Sequence, residues 1–155
     1  MPNWCRNEID IYFNDCPMEE QIRIRKAINM PLVKSIHEEV DTDDWFSFEK
    51  IVPQPKHKIV RIKKENTNYV QEKYLLDSGE EFDWYTWNCD NWGTKWDRCD
   101  LEIIDNDEDT ICLSFETAWC PPEGIHSKVK KILGDHASMT WFYEEPTGEF
   151  SGYLQ

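Results

Sequence analysis

Residues 110–133 read Thr110-Ile111-Cys112-Leu113-Ser114-Phe115-Glu116-Thr117-Ala118-Trp119-Cys120-Pro121-Pro122-Glu123-Gly124-Ile125-His126-Ser127-Lys128-Val129-Lys130-Lys131-Ile132-Leu133. Two periods meet in this run. Ile111, Leu113, Phe115, Thr117 and Trp119 fall on every second position, the spacing of a strand with one buried face. After Cys120-Pro121-Pro122-Glu123, the apolar positions become Ile125, Val129, Ile132 and Leu133, an amphipathic helical stripe that Gly134 stops. A strand followed at once by a helix fixes one half of an α+β unit, and the rest of the chain is read outward from it.

Upstream, Leu101 and Ile103 alternate in 100–105, and Asn106-Asp107-Glu108-Asp109 is a polar turn, so 100–119 reads as a hairpin. Downstream, 138–144 is a strand with Met139, Trp141 and Tyr143 on one side. Pro146-Thr147-Gly148 turns the chain, and 150–153 returns as a short last strand. At the other end, Ile9, Ile11 and Phe13 alternate with Glu8, Asp10 and Tyr12 over 4–13. Pro17 then opens a helix over 18–30, with Glu19 and Glu20 near its positive end. Its stripe is Met18, Ile22, Ala27 and Ile28, with Arg23, Arg25 and Lys26 toward water. Leu32, Val33, Ile36 and Val40 suggest one or two further turns.

Between these halves, 45–52 reads as a second strand ended by Pro53 and Pro55. Lys56–Lys64 holds five Lys/Arg and no acid, and reads as a surface connection or as a docking segment for an acidic partner or a phosphate. Residues 67–76 read as a short helix with Tyr69, Val70, Tyr74 and Leu75. A second helix begins at Asp83, a suitable N-cap, and stops at Gly93. At about 100° per residue it places Tyr85, Cys89 and Trp92 on one face, with Trp84 and Trp87 pointing elsewhere. The order β-α-β, insertion, β-β, α-β-β predicts an α+β ferredoxin-like sandwich. It is an antiparallel sheet with two helices on one face, an inserted helical segment at about 56–98 and a C-terminal hairpin, all in a single domain over 1–155.

Composition narrows the function. The chain has 155 residues, 31 acidic against 17 basic, and a net charge of −14. Such a field repels a polyanion, so direct nucleic-acid binding is disfavoured, and an acidic surface competes instead for basic grooves on proteins. The acidic surface residues singled out are Asp41, Asp43, Asp44, Asp105, Asp107, Glu108 and Asp109. No apolar run reaches the ~18 residues of a membrane span, and the N-terminus lacks a signal-peptide apolar region. The six cysteines lack C-x-x-C spacing, which predicts reduced, mostly buried thiols in a cytoplasm.

Four of the eight tryptophans lie within 84–96. Trp84, Trp87, Asn88, Asn91 and Lys95 are therefore candidates for contact with a partner or ligand, with Lys95 placed for a cation–π contact. No cofactor is called for. Three chemical options remain beside this: Cys120 with His126 as nucleophile and base, a cation site at Asp97, Asp100 and Glu102, and a zinc site from Cys89, Cys99 and His57 or His126.

Four blocks occur in order: Met1-Pro2-Asn3-Trp4-Cys5, Phe46-Ser47-Phe48-Glu49-Lys50-Ile51-Val52-Pro53, Asn91-Trp92-Gly93-Thr94-Lys95-Trp96, and Phe115-Glu116-Thr117-Ala118-Trp119-Cys120-Pro121-Pro122. Together they resemble the YubB ferredoxin-like domain family of phage and conjugative-plasmid proteins. The resemblance spans nearly the whole chain except 56–81. It implies the same fold and a mobile-element origin, and carries over no catalytic residue. The resulting expectation is a non-enzymatic accessory protein that binds and inhibits a host protein, one of a defence system or a nucleic-acid-binding one, by acidic mimicry. The alternatives are a protein that binds or sequesters a nucleotide-like ligand, and a cysteine- or metal-dependent enzyme.

Overall fold

The computed structural model describes residues 3–32 and 42–155. Its strands are β1 (Trp4–Phe13), β2 (His57–Lys63), β3 (Val70–Leu76), β4 (Cys99–Asn106), β5 (Thr110–Ala118), β6 (Ala137–Glu144) and β7 (Ser151–Tyr153). Its helices are α1 (Met18–Ala27), α2 (Phe48–Ile51), α3 (Trp84–Asn91) and α4 (Glu123–Leu133). Five strands form one sheet in the order β4-β5-β1-β6-β7, and β2 pairs with β3 alone. Every neighbouring pair is antiparallel. With β7 set aside, the four long strands of the main sheet have the order and connections of a ferredoxin-like sandwich, and α1 and α4 are the two crossovers.

The period-2 pattern accounts for the sheet. Cys5, Asn7, Ile9, Ile11 and Phe13 of β1 are buried, as are Ile111, Leu113, Phe115 and Thr117 of β5. Onto this face α1 brings Ile24 and Ile28, and α4 brings Ile125, Val129 and Leu133. Phe46, Phe48, Trp92, Phe115 and Trp141 fill the centre with edge-on and tilted ring contacts 5.5–6.4 Å apart. A polar strut crosses this core. Asn7 donates to Thr117 Oγ1 at 2.9 Å and accepts the Trp141 indole N–H at 3.0 Å.

Several expectations are corrected. Residues 45–52 are not a strand: Phe46 takes φ 47° and Phe48–Ile51 is a helical turn. Asp97 holds that turn from fifty residues away, accepting from Phe48 N at 2.8 Å, Glu49 N at 3.2 Å and Ser47 Oγ at 2.9 Å. The second strand of the first β-α-β unit is therefore β4. Residues 67–76 are not a helix, because Val70–Leu76 pairs along the basic run, in register from Lys63↔Val70 to His57↔Leu76. The basic connection is thus half of a hairpin, and the insertion is a hairpin plus α3 rather than all helical.

Within α1, Arg25 faces inward and is 2% exposed, while Met18 is 56% exposed. The helix ends at Ala27 rather than 30. Arg25 lies 5.2 Å from the Phe13 ring centroid and donates to Asn106 Oδ1 and the Asp107 carbonyl. Of the six cysteines only Cys5 is buried. The turns expected over 32–40 fall almost wholly outside the described residues.

The tryptophan helix is capped as expected. The Asp83 side chain accepts from Thr86 N at 3.2 Å and Thr86 Oγ1 at 2.6 Å. Its inner face differs from the expected one. Asn88 and Trp92 are buried, Trp87 packs edge-on to Trp92 at 5.8 Å, and Tyr85 is 53% exposed. Helical geometry groups 84, 87 and 88 on one side, where Asn88 is buried and Trp84 and Trp87 are half-buried, while Asn91 is exposed. Gly93 and Gly124 let the end of α3 meet the start of α4. A Cβ on Gly124 would sit 2.0 Å from the Asn91 carbonyl oxygen, and one on Gly93 2.7 Å from Glu123 N.

Candidate functional site

Burying one face of each strand turns the alternate residues outward, and among the described residues no helix packs on the sheet's far side. Arg6, Glu8, Asp10 and Tyr12 of β1 stand on that side. The register sets beside them Glu116, Ser114 and Cys112 of β5, and Glu144, Phe142 and Thr140 of β6. β4 adds Glu102 opposite Ser114 and Asp105 opposite Cys112. Among the described residues, the open face therefore carries Glu8, Asp10, Glu102, Asp105, Glu116 and Glu144 against one cation, Arg6, which pairs with Glu8. Same-face neighbours along a strand stand roughly 7 Å apart, and carboxylates two strands apart roughly 10 Å. Phe142 and Tyr153 border the acids, with ring centroids 5.4 Å apart.

The charge on this face is felt by its own thiol. The Cys112 pKa is pushed up to about 12, first by burial and then by the Asp10 side chain, with Asp105 and Asp107 adding to it. The β4–β5 turn continues the field. Asp107 accepts from Asp109 N at 2.9 Å, Thr110 N at 2.8 Å and Thr110 Oγ1 at 3.1 Å, which holds its carboxyl below the usual range. Asp109 and Glu108 are exposed beside it. Of the acidic residues singled out from sequence, Asp105 stands on this face and Asp107 and Asp109 continue it at the turn, whereas Glu108 lines a groove against α1 with Met18, Gln21 and Arg25. Asp43 and Asp44 lie apart in a 3-10 turn, Thr42–Asp44, whose carbonyls at Thr42 and Asp43 accept from Arg98. Asp41 lies outside the described residues. Glu8, Asp10, Glu116 and Glu144 were not singled out, and Glu102 only as part of a cation site, although the same alternation that picks out the core also picks them out.

The tryptophan stretch builds a second, smaller feature. A groove of about 260 Å³ is lined by Tyr85, Cys89, Gly93, Thr94, Lys95, Ala118, Trp119 and Cys120. The Lys95 ammonium stands 4.1 Å from the Trp96 ring centroid, and Trp119 is 51% exposed. Lys95 is thus at a groove, with Tyr85, Trp96 and Trp119 as its aromatic neighbours. Trp84 lies half-buried against Tyr85, and Trp87 between Phe82 and Trp92. Asn88 is used inside the fold: its amide donates to the Lys95 carbonyl at 2.7 Å and accepts from Gln54 at 2.7 Å. Asn91 donates to the Trp87 carbonyl within its own helix at 2.9 Å.

The catalytic options are scattered. Cys120 lies in this groove and donates to the Gly93 carbonyl at 3.0 Å, and burial pushes its thiol up rather than activating it. His126 lines a different cavity, packed edge-on to Trp141. Asp97 is occupied as the α2 cap, and Glu102 stands on the open sheet face. Among the described residues, no three His, Cys, Asp or Glu side chains converge to hold a metal ion. Also among these residues, no helix is long and apolar enough to cross a membrane. No protein-family model, curated protein or solved structure matches the chain.

Proposed function

We propose that this is a non-enzymatic binding protein whose open sheet face and β4–β5 turn dock onto a basic surface of a host protein. That surface is one which otherwise holds nucleic acid, so that docking inhibits the host protein. The observation that carries the reading is the row-by-row placement of Glu8, Asp10, Glu102, Asp105, Glu116 and Glu144 on paired strands with Arg6 as their one cation among the described residues. Carboxylates at fixed, roughly 7 Å spacing present to a basic groove what a phosphate backbone presents, and complementary fields speed encounter. Phe142 and Tyr153 supply apolar anchors beside the charge. The resemblance to the phage and plasmid family supports a mobile-element origin, in which a host defence factor is the target. Six free thiols fit a reducing compartment such as the host cytoplasm.

The test compares the protein with a Glu8→Lys, Asp10→Lys, Glu116→Lys variant as bait in host extract. Each bound partner is then measured for association rate against salt and for competition by duplex DNA. The reading expects a basic nucleic-acid-binding partner that DNA displaces, that the variant loses, and whose association slows steeply with ionic strength. A partner held equally by the variant, or at a salt-independent rate, overturns it.

A further inference from the structure

A cavity of about 450 Å³ lies between α4 and the β6–β7 edge. Its size is that of a small-molecule pocket. Its walls are Leu133, Met139, Trp141 and Leu154, with the 62% exposed Tyr153 at its rim. Two properties bear on what it could hold. In a chain of net charge −14, its one charged side chain among the described residues is a cation, Lys130, and no carboxylate side chain among them lines it. It also holds a buried imidazole without a partner. His126 is 6% exposed, and among the described residues neither ring nitrogen has a hydrogen-bond partner. Unlike Oε1 of Gln21, which is sealed and orphaned, these nitrogens keep contact with the cavity. Solvent in the cavity now meets these nitrogens, and a ligand atom there would take its place as a fixed hydrogen-bond partner.

We propose that this cleft binds a small organic anion with a flat apolar body. The ligand's charge meets Lys130, its polar edge meets the His126 ring, and its body lies against Met139, Trp141 and Tyr153. Burial lowers the His126 pKa, with Lys130 as the second cause, so the ring is neutral at pH 7 and offers one donor and one acceptor. The anionic group is then read by Lys130 and the heterocyclic or hydroxyl edge by His126. A nucleoside monophosphate and an aromatic carboxylate both have this chemistry. The site shares Tyr153 at its rim with the acidic sheet face, but Lys130 and His126 belong to the cleft alone, and neither reading depends on the other.

The test follows the His126 ring and Trp141 indole NMR signals during titration with adenosine monophosphate, indole-3-acetate, adenosine and inorganic phosphate. Saturable shifts with either of the first two are expected, and which one binds identifies the anion as phosphate or carboxylate. Adenosine and phosphate, each lacking one half of the ligand, should bind at least about tenfold more weakly. Lys130→Glu, at an exposed position, should weaken binding by a similar factor without altering the fold, and His126→Phe should do the same by removing the ring nitrogens. No saturation with either anion at millimolar concentration overturns the proposal, as does binding that Lys130→Glu leaves unchanged.

Discussion

Trp141 donates its indole N–H to Oδ1 of Asn7 at 3.0 Å, with both side chains fully buried. The bond ties β6 to the central strand through the core, and the Asn7 amide carries it on to Thr117 of β5. Replacing Asn7 with Leu leaves the indole N–H without an acceptor. Thr117 keeps a partner, since its hydroxyl donates to the Cys120 carbonyl at 2.7 Å. Asn7→Leu is expected to cost about 2 kcal/mol, read as a lower urea midpoint with an unchanged slope. An unchanged midpoint would show that the strut is dispensable.

Asp97 is expected to act as a clamp rather than a ligand. Asp97→Ala removes the acceptor for Phe48 N, Glu49 N and Ser47 Oγ together, a loss of about 1–2 kcal/mol. Adding divalent cations should shift the melting temperature of neither protein. A cation-dependent rise in the parent alone would reinstate the metal reading.

Gly124→Ala tests the close approach of α3 to α4. The added methyl carbon meets the Asn91 carbonyl oxygen at 2.0 Å, backbone that cannot swing aside as a side chain could. A loss of about 1–3 kcal/mol is expected, against a gain of up to about 1 kcal/mol for the same change at an open helical site. Thermal unfolding distinguishes the two signs.

The His126 pKa is lowered in the fold, so between that value and the unfolded value of about 6.5 the unfolded chain binds more protons. Stability therefore holds above about pH 6.5 and falls as pH drops through this window. In His126→Phe that part of the decline should vanish. Urea midpoints at pH 7.5, 6.5 and 5.5 measure it, and parallel declines in the two proteins would assign the effect elsewhere.

Cys112 should resist alkylation. With its pKa near 12, almost no thiolate exists at pH 8, and Asp10→Asn, by removing a cause of that rise, should speed iodoacetamide labelling at this residue. Peptide mass spectrometry reads the rate, and equal rates would detach the thiol from the acidic face.

The four long strands, the α4 stripe and the Asp83 cap were all legible, because each depends on a period or on a residue close in sequence. Residues 45–52 misled because their apolar content fits a strand, whereas Phe46 at φ 47° and a carboxylate fifty residues away decide otherwise. Residues 67–76 misled for a related reason. Tyr69, Val70, Tyr74 and Leu75 fit a helix, but β3 buries no face in the main core, so its apolar spacing carries little information and pairing with 57–63 prevails. Arg25 shows the limit for single residues. A charged side chain is read as solvent-facing until the Asn106 side chain and Asp107 carbonyl that receive it are known. The acidic face needed no distant information, since Glu8 and Asp10 were already assigned to the side opposite Ile9 and Ile11.

The rigidity of the open face has a thermodynamic corollary. Its carboxylates rise from paired strands rather than loops, so little of the backbone has to be ordered when the face is covered. Such a row of fixed negative charge gathers loosely held sodium or potassium ions, and a basic surface laid upon it sets them free. Calorimetry of such a complex should show little heat and a dominant gain in the mixing entropy of the departing ions.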